Sequence, residues 1–175
     1  LLSFVPQKTD LETDFTAEEI VMTGRTPYQG RFLGTSVNDK EAVSRAFSLT
    51  KANRLKDKKF AVLSGGEKQK IVIARAVAQT TPWMLLDEPI ASLDIKNQIE
   101  IMQTLLELNR QEGVSVLMVL HDINLAGIYC DRLIMLKDGQ VIAAGNTNEC
   151  LCEENLKKLY DISFFHMDTK KGQRY

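Results

Sequence analysis

Apolar residues in this chain fall into short continuous bursts and longer periodic stretches, and the two patterns predict different elements. Leu1 to Val5 is an apolar run closed by Pro6, which cannot continue a central strand. From Thr16 to Thr23 the spacing of Ala17, Ile20 and Val21 predicts a helix, with Thr16 or Asp14 available as its cap. Gly24 to Gly34 reads as a loop or broken helix. Ser36 to Asp39 suggests a cap before a second helix reaching about Ala52, with Val43, Ala46, Phe47 and Thr50 on its apolar face. A further helix should cover about Glu67 to Gln79. Trp83 to Leu86 suits a fully buried strand, because it is apolar throughout and bounded by Pro82 and Asp87.

Ile95, Ile99, Met102, Leu105, Leu106 and Leu108 form the stripe of a long helix that Gly113 should end. Val114 to Leu120 reads as a second buried strand, ending in His121-Asp122, and a helix covers about Ile123 to Cys130. Leu133 to Leu136 and Val141 to Ala143 flank Asp138-Gly139, the dipeptide a tight hairpin prefers. Glu153 to Tyr160 predicts a terminal helix. Strand and helix alternate from Trp83 onward, which predicts an α/β fold with a parallel sheet. Residues from about 12 to 60 show helices only, so the sheet is interrupted by an all-helical insert.

Composition narrows the class without naming it. The 175 residues are 44% hydrophobic and 26% charged, as in an ordinary folded chain. Twenty-two Lys+Arg against twenty-three Asp+Glu leave a net charge of −1, which offers no global field for nucleic acid or an acidic membrane. Three cysteines at irregular spacing are no disulfide framework, and Cys150 and Cys152 read as ordinary reduced thiols. The longest apolar run, Val116 to Leu120, is far too short to cross a bilayer. Lys51 to Lys59 carries five basic residues in nine, read as a solvated face, the alternative being a dock for an acidic partner.

Three blocks carry candidate chemistry, each at a strand end or helix start, where open α/β sheets place ligands. Asp87-Glu88 ends an apolar strand with two adjacent carboxylates, which can hold Mg²⁺ with one and polarise a water with the other. Leu63-Ser64-Gly65-Gly66-Glu67 opens a helix with two glycines and a hydroxyl, a pattern suited to binding an anion. His121 follows the second strand, beside the carboxylate pair if the sheet is parallel. Each block alone also fits a plainer role: a strand terminus and cap, a simple turn, a structural histidine.

In order, Gln7, Leu63 to Glu67, Asp87-Glu88-Pro89, Ser92-Leu93-Asp94 and His121 resemble the ATP-binding subunit of an ABC transporter. The resemblance covers Val5 to about Gly145. It implies that Gln7 is the Q-loop glutamine and, with Asp87, a ligand of Mg²⁺. It implies that Leu63 to Gln69 is the signature motif, whose Ser64, Gly65, Gly66 and Glu67 bind the γ-phosphate of ATP held on a partner subunit. Glu88 would be the general base, Asp94 the D-loop acid at the dimer interface and His121 the switch histidine. Met22 to Gly30, Leu93 to Glu100 and His121 to Ala126 are similar to the branch importing iron–siderophore complexes, haem and cobalamin. The fold implied is a partial parallel-sheet ABC ATPase core with an all-helical signature subdomain inserted. Its parts would be 1–10 (strand and Q-loop), 11–80 (helical subdomain), 81–146 (remainder of the core) and 147–175 (helix and tail). The cofactors implied are ATP and Mg²⁺. The partners implied are a second copy of the subunit and a transmembrane permease docked on the helical subdomain, with no nucleic acid. The place implied is the cytoplasmic face of a bacterial-type membrane.

Two departures qualify the resemblance. No glycine here is followed by another five positions on, so the family's phosphate-binding loop, Gly-x-x-x-x-Gly-Lys-[Ser/Thr], does not occur in these residues. The expectation is a C-terminal fragment, its core lacking the strand of that loop, that alone neither binds Mg-ATP well nor hydrolyses it. Ile90 stands where the family often has Thr, beside an intact Ser92-Leu93-Asp94. The competing readings are a soluble ABC ATPase without membrane partner, against which the absence of sustained heptads between Gln7 and Ser64 argues, and a catalytically dead interaction module.

Overall fold

The computed structural model describes residues 1–7, 13–29 and 34–162, with the backbone of 167–169 and 172–174. Gly30 and the start of the stretch 11–80 lie outside the described residues. Two units form, Leu1–Val119 and Leu120–Tyr175.

The first unit runs β1 (Leu2–Val5), α1 (Ala17–Met22), a 3-10 turn (Thr23–Tyr28), α2 (Val37–Leu49), α3 (Gly65–Ala78), β2 (Trp83–Leu86), α4 (Ile95–Glu112) and β3 (Ser115–Met118). The helices start where local chemistry dictates. Thr16 rather than Asp14 caps α1: its hydroxyl accepts the Glu19 N–H at 3.2 Å, and the Glu19 carboxylate accepts the Thr16 N–H at 2.7 Å. Ser36 and Asp39 do the same for α2, and Ser64 and Glu67 for α3. Asp94 caps α4, and Gly113 ends it with φ +68°.

Between β1 and α3 the described residues form helices and turns and no strand, only an isolated bridge from Thr16 to Lys59. α1 and α2 pack on α3 around buried Ile20, Val21, Val43, Phe47, Phe60 and Ile71. The basic run is a paired surface: Lys51 meets Glu107, Lys56 meets Glu18, Lys59 meets Asp14, and Arg54 and Lys58 flank Glu67. Gly24 is pressed against α3 so closely that a Cβ there would lie 2.3 Å from the Arg75 carbonyl oxygen.

The strands of this unit are parallel in the order β1-β2-β3, with Val5, Leu86 and Met118 in one row of the register. α3 packs on β1 and α4 on β3, and Ser3, Val5, Met84 and Leu86 are buried on the covered face. The opposite face corrects the expectation of fully buried strands. Trp83 is 55% exposed, Leu117 53% and Phe4 46%. Apolar runs signal two covered faces, but alternate residues of these strands point away from the helices that do the covering.

The second unit contains α5 (Ile123–Tyr129), the hairpin β4 (Arg132–Lys137) and β5 (Gln140–Asn146), α6 (Thr147–Cys150), α7 (Glu153–Tyr160), β6 (Met167–Thr169) and β7 (Gly172–Arg174). Asp138 and Gly139 both take positive φ, as the tight hairpin turn requires. Met135, Cys150, Leu151 and Leu156 form its core. Cys150 is thus a packing residue, and burial raises its thiol pKa above the ordinary value. No helix among the described residues is long and apolar enough to cross a membrane.

Candidate functional site

Parallel pairing carries the chain ends of β1 and β2 to the same edge. The Asp87 N–H donates to the Val5 carbonyl at 2.9 Å, which extends the ladder one step beyond Leu86. Gln7 and Glu88 follow immediately, and Gln7 Nε2 donates to Glu88 Oε2 at 2.6 Å across 81 residues of sequence. Glu88 takes φ +46° and Ser92 φ +65°, a left-handed backbone that non-glycine residues rarely adopt. Such strain clusters at functional sites. Here it accompanies a tight turn in which Ala91 N–H donates to the Glu88 carbonyl and Leu93 N–H to that of Ile90. Pro89 and Ile90, the central residues of the Glu88–Ala91 turn, are buried, so an apolar Ile in place of Thr is met by packing.

A second cluster sits at the start of α3. The Ser64 hydroxyl accepts the Glu67 N–H, and Glu67 Oε2 accepts the Ser64 N–H and hydroxyl, each at 3.1 Å. The backbone hydrogen bond from Ser64 holds the Glu67 carboxyl below the usual carboxylate range despite some desolvation, with help from the Ser64 hydroxyl, Lys58 and Arg54. Gly65 is exposed, leaving the first N–H groups of α3 approachable. Gly66 is buried, and a Cβ on it would fall 2.4 Å from Asn97 Cγ. Asn97 in turn holds Asp94, whose Oδ1 accepts the Asn97 N–H at 2.9 Å and whose Oδ2 accepts Asn97 Nδ2 at 2.7 Å. Those two bonds lower the Asp94 pKa, the backbone one most.

The structure therefore brings Gln7 and Glu88 together, and Ser64 to Glu67 together with Asp94. β2 and β3 are adjacent and parallel, and the Val119 N–H donates to the Leu86 carbonyl at 3.0 Å. His121 belongs to the second unit, an exposed residue beside Asp122, whose Oδ1 caps α5 at the N–H groups of Asn124 and Leu125. Asn97 was not legible as a site residue. Its one signal is the Asp94–Asn97 spacing at a helix start, which is common and unspecific.

The donor set suits a hard cation shared with phosphate. Asp87, Glu88 and Gln7 supply oxygen ligands only, and the described residues hold no cluster of three or more His, Cys, Asp or Glu that would bind a metal alone. Oxygen donors of this kind could hold Mg²⁺, which takes one or two carboxylates and completes its shell with water and substrate phosphates.

The ABC transporter family model matches residues 1–91. The chain belongs to the ABC transporter family. It is 37% identical over 167 residues to the ferric enterobactin transport ATP-binding protein FepC of Escherichia coli (strain K12), covering 95% of this chain and 62% of that protein. Among solved structures, an inward-facing ABC transporter described as of metal-chelate type superposes with a TM-score of 0.91 at 27% identity, covering 99% of this chain and 69% of that one. The dimeric bacterial ABC transporter cassette MJ0796 superposes with a TM-score of 0.69 at 34% identity, covering 83% and 62%. The mixed α/β architecture of these ABC cassettes is the one described above, with helices on a parallel sheet. The chain thus spans about three fifths of the relative's length.

Proposed function

We propose that this chain is the signature-bearing part of an ATP-hydrolysing subunit that powers import of an iron–siderophore, haem or cobalamin-type chelate. The observation that carries it is the Gln7–Glu88 hydrogen bond at the tips of two adjacent parallel strands. Relatives named for ferric enterobactin and metal-chelate transport support the cargo class.

Glu88 is the general base that takes a proton from the water attacking the γ-phosphate, a role that typically contributes about 10²–10⁴-fold to rate. Gln7 fixes one of its carboxylate oxygens and with it the side-chain rotamer. Asp87 and Gln7 would hold Mg²⁺, which when bound neutralises phosphate charge and orients the transferred group. The Ser64 hydroxyl and the N–H groups at Gly65 and Gly66 face the γ-phosphate of ATP carried by a second copy of the subunit, with the positive end of α3 behind them. Asp94 lies at that dimer interface, and His121 contacts phosphate. The helices between residues 11 and 80 dock a transmembrane permease, which places the subunit on the cytoplasmic face of a bacterial-type membrane. Because the Gly-x-x-x-x-Gly-Lys-[Ser/Thr] pattern does not occur in these 175 residues, their own ATP hydrolysis is at background.

The test is steady-state ATP hydrolysis and chelate uptake by the natural full-length protein reconstituted with its permease. Glu88→Gln should lower kcat by about 10²-fold or more. Hydrolysis indifferent to that change overturns the assignment of the base. Hydrolysis by the 175-residue chain alone, lost on Glu88→Gln, overturns the claim that it is inactive.

A further inference from the structure

We infer that Asn97 is a positioning residue that locks the Ser64–Glu67 turn to the Asp94 loop, so that the two segments move as one body. The inference rests on the ATPase reading above, and it gives a role to a residue to which that reading assigns none.

Asn97 stands in the first turn of α4 and reaches two places at once. Its amide lies over Gly66, where a Cβ would meet Cγ at 2.4 Å, Oδ1 at 2.5 Å and Nδ2 at 2.7 Å. Only a residue without a side chain permits this approach. The same amide donates to Asp94 Oδ2 at 2.7 Å while the Asn97 N–H donates to Oδ1 at 2.9 Å. Capping α4 needs only the backbone bond. The side-chain bond is additional, and its effect is to fix the plane of the Asp94 carboxylate relative to the residue that rests on Gly66.

The seam continues one turn further along both helices. Lys70 lies four residues after Gly66, Glu100 three after Asn97, and Lys70 Nζ donates to Glu100 Oε2 at 2.5 Å. The Lys70 side chain is largely buried in this pair. A second attachment on the same pair of faces restrains rotation as well as separation. Leu93 lies beside the turn as well, its Cδ2 3.8 Å from where a Gly65 Cβ would stand. A displacement of the phosphate-facing turn is therefore passed to Asp94 through the Asn97 amide and the Lys70–Glu100 pair.

The test uses the natural full-length protein with its permease and compares Asn97→Ala and the isosteric Asn97→Asp with wild type. Asn97→Asp keeps the volume and sets a carboxylate against Asp94, so it reports even where the alanine variant folds poorly. The expected result is a kcat lowered tenfold or more in both Asn97 variants, with KM for ATP within about threefold of wild type. An unchanged kcat, or a rise in KM alone, overturns the inference. Hydrogen–deuterium exchange on the same proteins reads the lock without reference to hydrolysis. Asn97→Ala should raise amide exchange several-fold in both 64–70 and 91–98, and a change confined to 91–98 overturns it. A wild type whose hydrolysis is insensitive to Glu88→Gln instead removes the ATPase reading, while the exchange measurement still decides whether the two segments are joined.

Discussion

Arg25 Nε donates to Asp39 Oδ1 at 2.9 Å inside the helical layer, and both side chains are almost wholly buried. The same guanidinium donates through Nη1 to the Ala78 carbonyl at 2.7 Å and lies 4.0 Å from the centre of the Tyr28 ring. One side chain thus joins the 3-10 turn, the cap of α2 and the far end of α3. Removing one partner of a buried pair leaves the other uncompensated, typically at about 3–5 kcal/mol. Arg25→Met should therefore lower the urea midpoint of unfolding strongly, and denaturant titration of the chain checks it.

Acid should unfold this protein earlier than its mean composition suggests. Hydrogen bonds from the Ser36 hydroxyl, Arg25 and the Ser36 N–H hold Asp39 below the usual carboxylate range, and Glu19, Glu67 and Asp94 are lowered by their own cap bonds. Carboxyls in the unfolded chain titrate near pH ~4, so there the unfolded state binds protons first. The stability these groups contribute is complete above that value and is lost as pH falls through the lower folded pKa values. Unfolding followed by circular dichroism from pH 6 to 2 should show the loss below about pH 4, and Ser36→Ala should make it shallower.

Gly24→Ala drives a methyl into the Arg75 carbonyl at 2.3 Å, and backbone oxygen at a helix cannot swing aside as a side chain can. The cost should be about 1–3 kcal/mol, the usual range for overpacking. Gly34→Ala, where a Cβ meets no atom within 4 Å, is the matched control and should leave the thermal midpoint nearly unchanged.

The uncovered face of the parallel sheet should make the 175-residue chain associate when produced alone. Phe4, Trp83 and Leu117 form a contiguous apolar surface on neighbouring strands, the kind that monomers seldom leave open. Sedimentation velocity should find species larger than a monomer, and Phe4→Ser with Trp83→Ser should shift them toward the monomer. A double variant that sediments as wild type does would mean that association uses another surface, such as the outer edge of β1.

Much of this protein is determined by the sequence itself, because the physics involved is local. A hydroxyl and a carboxylate three residues apart form the boxes at Thr16–Glu19, Ser36–Asp39 and Ser64–Glu67 in any context that allows a helix. Asp138-Gly139 turns a hairpin because both residues tolerate positive φ. The glycine pair and the acid pair are legible for the same reason, since each acts within its own turn. Tertiary structure alone decided three other things. Strand pairing carried Gln7 to Glu88 over 81 residues, which no short-range pattern encodes. Helix packing put Asn97 on Gly66 and buried Arg25 with Asp39. And the placement of α3 and α4 decided which sheet face is buried: an apolar run reads alike whether one face is covered or two, and only the layers packed against it make the difference.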